Sequence, residues 1–187
     1  MGERGGGTRA RIQDVALELF TEYGYDKTSL REIADRLGVT KAALYYHFKS
    51  KDDIVTSLLD DFVSGIDAVV AWADGETPTP ETRRELIRRY SEVMREQGAR
   101  FMRFMAENQP AMREHKGGEE MKRRMSVLAT FISDPADPLP VQIRSRMALF
   151  TLHAARMAMR DAPDLSNDEL HDAALEAALS MLPADGR

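Results

Sequence analysis

The sequence predicts an all-α fold, and three observations carry that prediction. Apolar residues recur at three- and four-residue intervals through the longer segments. No run of alternating β-branched residues reads as a strand. Glycine and proline, the residues that end helices and open turns, separate the segments.

The first helix spans Thr8–Tyr23. Its Ile12, Val15, Ala16, Leu19 and Phe20 follow i, i+3, i+4, i+7, i+8, one apolar face that ends at Gly24. The second helix opens at Ser29, with Glu32 three residues on as the partner of a capping box. It buries Leu30, Ile33, Ala34 and Leu37 and closes at Gly38. Thr40 caps a third helix over 41–48, whose apolar anchors are Ala43, Leu44 and Phe48. A fourth starts at Ser50, with Asp53 as its reciprocal acid, and runs towards Trp72. The stretch 75–80, with one glycine and two prolines, is a linker. Long helices follow over 81–108 and 111–131, then a proline-rich break over 134–140, then two last helices over 141–160 and 167–182.

A chain of 187 residues with 43% hydrophobic and 30% charged residues has the composition of an ordinary globular protein. No stretch approaches the apolar length of a membrane span, and the glycine-rich, polar start is not a signal peptide, so a cytoplasmic protein without a membrane partner is expected. Cysteine is absent, which excludes disulfides, thiol catalysis and cysteine-held metals. The four histidines (His47, His115, His153, His171) are far apart, and no phosphate-binding glycine loop or nucleophile elbow appears. The expectation is a protein that is not an enzyme and holds no cofactor or metal.

The net charge of −5 conceals an uneven distribution. Between Lys27 and Lys51 six basic residues face two acidic ones, whereas from Asp60 onwards 22 acidic residues face 17 basic ones. A locally basic segment on an acidic body suits contact with phosphate at one place. That segment holds two short helices joined by Gly38-Val39-Thr40, the pattern of a helix-turn-helix. The second of them offers Lys41, Tyr45, Tyr46 and His47, poor core residues on a helix too short to stand alone. A groove-reading helix needs such a polar, aromatic outer face. A small bundle with a solvated Tyr/His face is the alternative on pattern alone.

The run from Thr28 to Ile54 resembles the DNA-binding segment of the TetR family almost throughout, most specifically in Leu-Tyr-Tyr-His-Phe-Lys-x-Lys from Leu44 to Lys51. The preceding helix, with Ala16, Leu19, Phe20 and Gly24, resembles that family's first helix. The resemblance covers residues 8–59 and implies a helix-turn-helix DNA-binding domain over 1–51. A helical ligand-binding and dimerisation domain would follow over 52–187. It implies that Thr28 and Ser29 meet phosphate, that Arg31 reaches a base edge, and that Thr40, Tyr45 and His47 contact the backbone. Lys41, Ala42 and Tyr46 would face bases, and Lys51 would grip phosphate. Ala42 departs from members with a larger residue there, which leaves more of the specificity to thymine methyl contacts and DNA shape.

Beyond Leu59 the residues speak alone. Seven of the 11 methionines lie from Met94 to Met147. Methionine adapts to varied partner shapes, so Trp72, Tyr90, Met94, Phe101, Met102, Met105, Met125 and Phe131 are expected to line an effector cavity. Plain core packing is the alternative for each of them. His153 reads as a hydrogen-bonded helix histidine, and Arg83-Arg84 with Arg88-Arg89 as a solvated face. The helix over 141–160 is apolar almost all round, and Leu170, Ala173, Ala174, Ala177, Ala178 and Met181 form a small-residue stripe. A homodimer interface through 141–182 would satisfy both.

The resulting expectation is a repressor that binds a palindromic double-stranded operator as a homodimer and is released by a small lipophilic or aromatic molecule. The fourth helix, running from Lys51 past Phe62 to Trp72, would join the reading head to the effector region. A small-molecule sequestering protein without DNA output is the competing reading, and an enzyme a more distant one.

Overall fold

The computed structural model describes residues 7–95, 104, 118–159, 161 and 165–183. Among them eight helices and no strand are present: α1 Thr8–Tyr23, α2 Leu30–Leu37, α3 Lys41–His47, α4 Lys51–Asp74, α5 Pro80–Val93, α6 Gly118–Ile132, α7 Leu139–Ala158 and α8 Asn167–Ser180. The fold is all-α. The described residues divide into two compact units, one of residues 7–62 with Phe104 and one of the rest from Val63 on. The first unit therefore reaches past Lys51 to Phe62.

In the first unit α1 buries Ile12, Ala16, Leu17, Leu19 and Phe20. Gly24 stops it at φ +90, a conformation that a Cβ disfavours. Phe104 joins this core, fully buried, with its ring centroid 5.6 Å from that of Phe20. Gln13 Nε2 bonds Ser57 Oγ at 2.9 Å and Asp61 Oδ2 at 2.7 Å, tying α1 to α4 through polar groups inside the apolar contact. Gly38 at φ +68 and ψ 29 ends α2 in a Schellman arrangement, Val39 N donating to Ala34 O and Gly38 N to Asp35 O. That left-handed residue turns the chain sharply enough for α3 to begin three positions later.

In the second unit α5 lies against α6, α7 and α8 and buries Leu86, Ile87, Tyr90 and Ser91. Helix α7 begins inside the expected proline-rich break, because Pro140 occupies an early helical position where its missing N–H costs nothing. The four arginines of α5 are not a uniformly solvated face. Arg83 Nε donates to Phe131 O at 3.2 Å, and Arg84 Nη2 donates to Pro183 O at 3.1 Å. Arg84 thus covers a carbonyl beyond the end of α8.

Leu170, Ala174 and Ala178 of α8 are buried within the protomer, where the small side chains let α8 approach its neighbours closely. They are core, which corrects their placement in an interface between protomers. Another surface is uncovered instead. Leu139, Ile143, Met147 and Phe150 of α7 are 67%, 53%, 47% and 54% exposed. Their spacing puts them on one helical face, opposite the buried Ala148 and Leu149. Among the described residues no helix is long and apolar enough to cross a membrane.

Candidate functional site

The start of α2 is closed on itself. Ser29 Oγ accepts from Glu32 N at 3.3 Å, while Glu32 Oε2 accepts from Ser29 N at 2.7 Å, the reciprocal capping box expected. The Ser29 hydroxyl, which donates to Glu32 Oε2 at 2.7 Å, and then the Ser29 N–H hold the Glu32 carboxyl below the usual carboxylate range. Ser29 is exposed, but both its polar groups already serve Glu32. Thr28 differs from expectation. It is 3% exposed, and its hydroxyl lies 2.9 Å from Gly24 O and 3.2 Å from Leu19 O. The hydroxyl closes the turn after α1, so it is turned inward and does not meet phosphate. Arg31 projects from α2 with only an exposed pairing to Asp35 at 3.7 Å, worth little and easily exchanged for a base.

Helix α3 has seven residues, and Thr40 caps it through Oγ1, which accepts from Ala43 N at 3.1 Å. The Thr40 hydroxyl proton is not used by that bond. Leu44 and Phe48 hold the helix down, at 0% and 1% exposure. Ala43, expected as a third anchor, is exposed. Apart from the half-buried His47, the rest of α3 faces outward. Lys41 and Ala42 are exposed, Tyr45 is 40% exposed and Tyr46 is 85% exposed. The Lys41 ammonium lies 5.4 Å above the Tyr45 ring, and the Tyr46 and His47 rings meet edge to face at 5.3 Å. Large aromatic area is rarely left in water without a partner. Here it stands beside cationic and amphipathic side chains on a helix of seven residues.

Lys51, at the start of α4, is half-buried. Its Nζ donates to Tyr25 O at 2.6 Å and lies 4.3 Å from the Tyr25 ring centre. One of its three protons is thereby committed, and two are left. Tyr25 in turn donates its hydroxyl to Asp52. Arg9, which the sequence pattern did not single out, sits at the other end of α3. Its guanidinium carbon is 4.4 Å from the Phe48 ring centre. The only signal for it was a basic residue in the first turn of α1.

The residues expected to line an effector cavity separate into two clusters in the second unit. Trp72 and Phe131 pack with centroids 6.0 Å apart, and the Arg89 guanidinium lies 4.7 Å above the Trp72 ring. Tyr90 is fully buried, and its hydroxyl lies 2.5 Å from His153 Nε2 and 3.5 Å from Met125 Sδ. Burial raises the Tyr90 phenol above its ordinary range and lowers the His153 imidazole, so both groups are neutral near pH 7. The next residue repeats the pattern, Ser91 Oγ lying 3.0 Å from His171 Nε2. Met94 is buried at the end of α5. Phe101, Met102 and Met105 lie outside the described residues. An open groove of about 360 Å³ is lined by Ala73, Asp74, Arg123, Val127 and Phe131, among others, and contains only one of the expected residues. No group of His, Asp or Glu suited to hold a metal is found among the described residues.

Comparison with known proteins places these observations. The family model for bacterial regulatory proteins of the tetR family matches residues 12–58. The chain is 51% identical over 51 residues to the HTH-type transcriptional regulator AcrR of Shigella flexneri, covering 27% of this chain and 24% of that one. It therefore spans about a quarter of the length of that relative. Over the whole fold it resembles a TetR-family transcriptional regulator, PfmR, from Thermus thermophilus, with a TM-score of 0.57 and 26% identity across 93% of this chain and 100% of the other. It also resembles SmeT, solved in complex with triclosan, with a TM-score of 0.58 and 22% identity across 96% and 93% of the two chains. The matched segment takes in α2, the Gly38 turn, α3 and the start of α4. Residues 12–58, which hold that helix-turn-helix, match the tetR family of bacterial regulatory proteins.

Proposed function

We propose that this chain is a transcriptional repressor that reads a palindromic operator as a homodimer and lets go when a small lipophilic or aromatic molecule binds its second unit. The observation that carries the DNA reading is α3. A seven-residue helix anchored by Leu44 and Phe48 presents Lys41, Ala42 and Tyr46 outward, with Tyr46 85% exposed. These three face bases. Thr40, Tyr45, His47, Ser29 and Lys51 position the protein on phosphate, and Arg31 reaches a base edge from α2.

The uncovered α7 stripe supports the dimer, since four large apolar side chains on one helical face need a partner. A second copy supplies the same stripe by two-fold symmetry. The interface therefore begins at Leu139 and includes the exposed Ala173 and Ala177 of α8. The effector reading rests on the Trp72–Phe131 and Tyr90–Met125 clusters and on the triclosan complex of SmeT, a fold relative that holds a chlorinated aromatic phenol.

Selection from random duplexes tests the first part. Inverted repeats are expected, with half-sites about one helical turn apart or somewhat more. Recovery of asymmetric single sites alone would overturn the dimeric reading. Titration with triclosan and other hydrophobic phenols, followed by Trp72 fluorescence with and without operator, tests release. Linkage requires operator and effector to weaken each other by one common factor. An affinity for the phenol that is unchanged by operator would show a binding protein without output.

A further inference from the structure

One side chain ties the first turn of α1 to the last residues of the DNA-facing helix. The Arg9 guanidinium carbon lies 4.4 Å from the Phe48 ring centre, and Arg9 Nη1 donates to His47 O at 3.5 Å. Phe48 is one of only two side chains that anchor α3. His47 O is among the carbonyls that the helix leaves unpaired at its C-terminal end, where the dipole favours a cation. Leu44 O, one turn earlier, is taken by Phe48 N at 3.0 Å. Arg9 thus completes the end of α3 from outside the helix-turn-helix.

The guanidinium is nevertheless exposed. It carries five N–H donors in one plane, and the bond to His47 O uses one. A ring stacked on one face leaves the edge of that plane open to solvent, beside the backbone of the half-buried His47. We infer that Arg9 has two roles in DNA binding: it is a positioning residue that fixes the pitch of α3 through Phe48, and its free edge contacts a backbone phosphate. This inference rests on the DNA-binding reading above and adds to it a residue outside the helix-turn-helix. The chemistry requires arginine. A lysine would restore the charge but would offer neither a flat face for Phe48 nor a set of in-plane donors.

Two substitutions separate the roles, measured by binding to a random-sequence duplex and to a selected operator from 50 to 200 mM KCl. Arg9→Ala is expected to lower the salt slope by about one, so that its binding weakens about threefold less than the parent's over that range. It should also lower the operator-to-random ratio several-fold. Arg9→Lys is expected to keep the slope and still lose part of the ratio, a split that a merely stabilising residue does not produce. Thermal melting followed by circular dichroism confirms that both variants are folded. If Arg9→Ala keeps both the parental slope and ratio, the inference is wrong. If Arg9→Lys keeps the full ratio, the positioning role is wrong. A parent chain that shows no salt-dependent DNA binding at all would sink the DNA reading itself, a separate failure.

Discussion

Lys51 and Tyr25 are joined twice, by a hydrogen bond of 2.6 Å from the ammonium to the Tyr25 carbonyl and by the ammonium's position 4.3 Å from the Tyr25 ring centre. The pair links the start of α4 to the turn that follows α1. Under the proposed DNA reading, a phosphate at Lys51 would meet a preoriented cation with two protons still to give. Lys51→Ala is expected to weaken binding to all sequences alike and to lower the salt slope by about one. It should also cost the fold about 1–2 kcal/mol, from a charge-assisted bond and a half-buried cation–π contact. Operator and random duplex titrations at several salt concentrations, with a urea melt, check both. A changed base preference with an intact salt slope would reassign the residue.

Tyr46 and Lys41 should behave oppositely. Both are exposed, so their replacement by alanine removes no core contact and should leave stability within about 0.5 kcal/mol of the parent. The preference for operator over random DNA should fall, because these side chains are the ones proposed to face bases. Leu44→Ala is the contrast. It removes one of two anchors of α3 and should cost about 2–5 kcal/mol. Loss of stability in Tyr46→Ala comparable to that in Leu44→Ala would show that the exposed face is structural.

Gly38 supplies the left-handed residue between α2 and α3. A Cβ there would touch nothing within 4 Å, so the cost of substitution is purely conformational. Gly38→Ala should destabilise the first unit by about 1–2 kcal/mol. Gly38→Asn should cost less, since asparagine tolerates that region better. Equal urea midpoints for all three chains would remove the turn from the argument.

The α7 stripe makes a prediction about assembly. Ile143→Glu or Phe150→Lys places a charge on the proposed dimer face without touching the protomer's own core. Either should yield a folded monomer at micromolar concentration that has lost operator binding. Ala174→Glu should instead unfold the protomer, because Ala174 is already buried within it. Sedimentation velocity and circular dichroism distinguish the two outcomes. A dimeric Phe150→Lys chain would move the interface elsewhere.

His153 gives the second unit a pH dependence of known sign. Burial lowers its pKa from the ordinary 6.5, so the folded protein keeps the imidazole neutral where the unfolded chain has begun to bind a proton. Stability from this group is complete above about pH 6.5 and is lost as the pH falls below it. His153→Gln should flatten the fall in melting temperature between pH 7 and pH 5. A slope unchanged by the substitution would assign the dependence to other groups.

Much of the fold was legible because the signals are local. Ser29 with Glu32, Ser50 with Asp53, Gly24 and Gly38 each act within four residues, so α1 ends, α2 begins and ends, and α4 begins where the caps say. The outward face of α3 was legible for the same reason: Lys41, Tyr45 and Tyr46 are too polar or too large to be core on a helix of seven residues. What the pattern left open depends on partners far along the chain. Thr28 and Ser29 are adjacent hydroxyls, and only the turn onto Leu19 O and Gly24 O sends one inward. Ala174 and Phe150 read as equally apolar, and only the packing of α5, α7 and α8 buries the alanine and leaves the phenylalanine in water. Arg9 reaches Phe48 and Arg84 reaches Pro183 across 39 and 99 positions. A propensity or a period extends over a few residues. A stacked guanidinium or a buried hydroxyl is settled by which distant backbone arrives beside it, and that is decided when the helices pack.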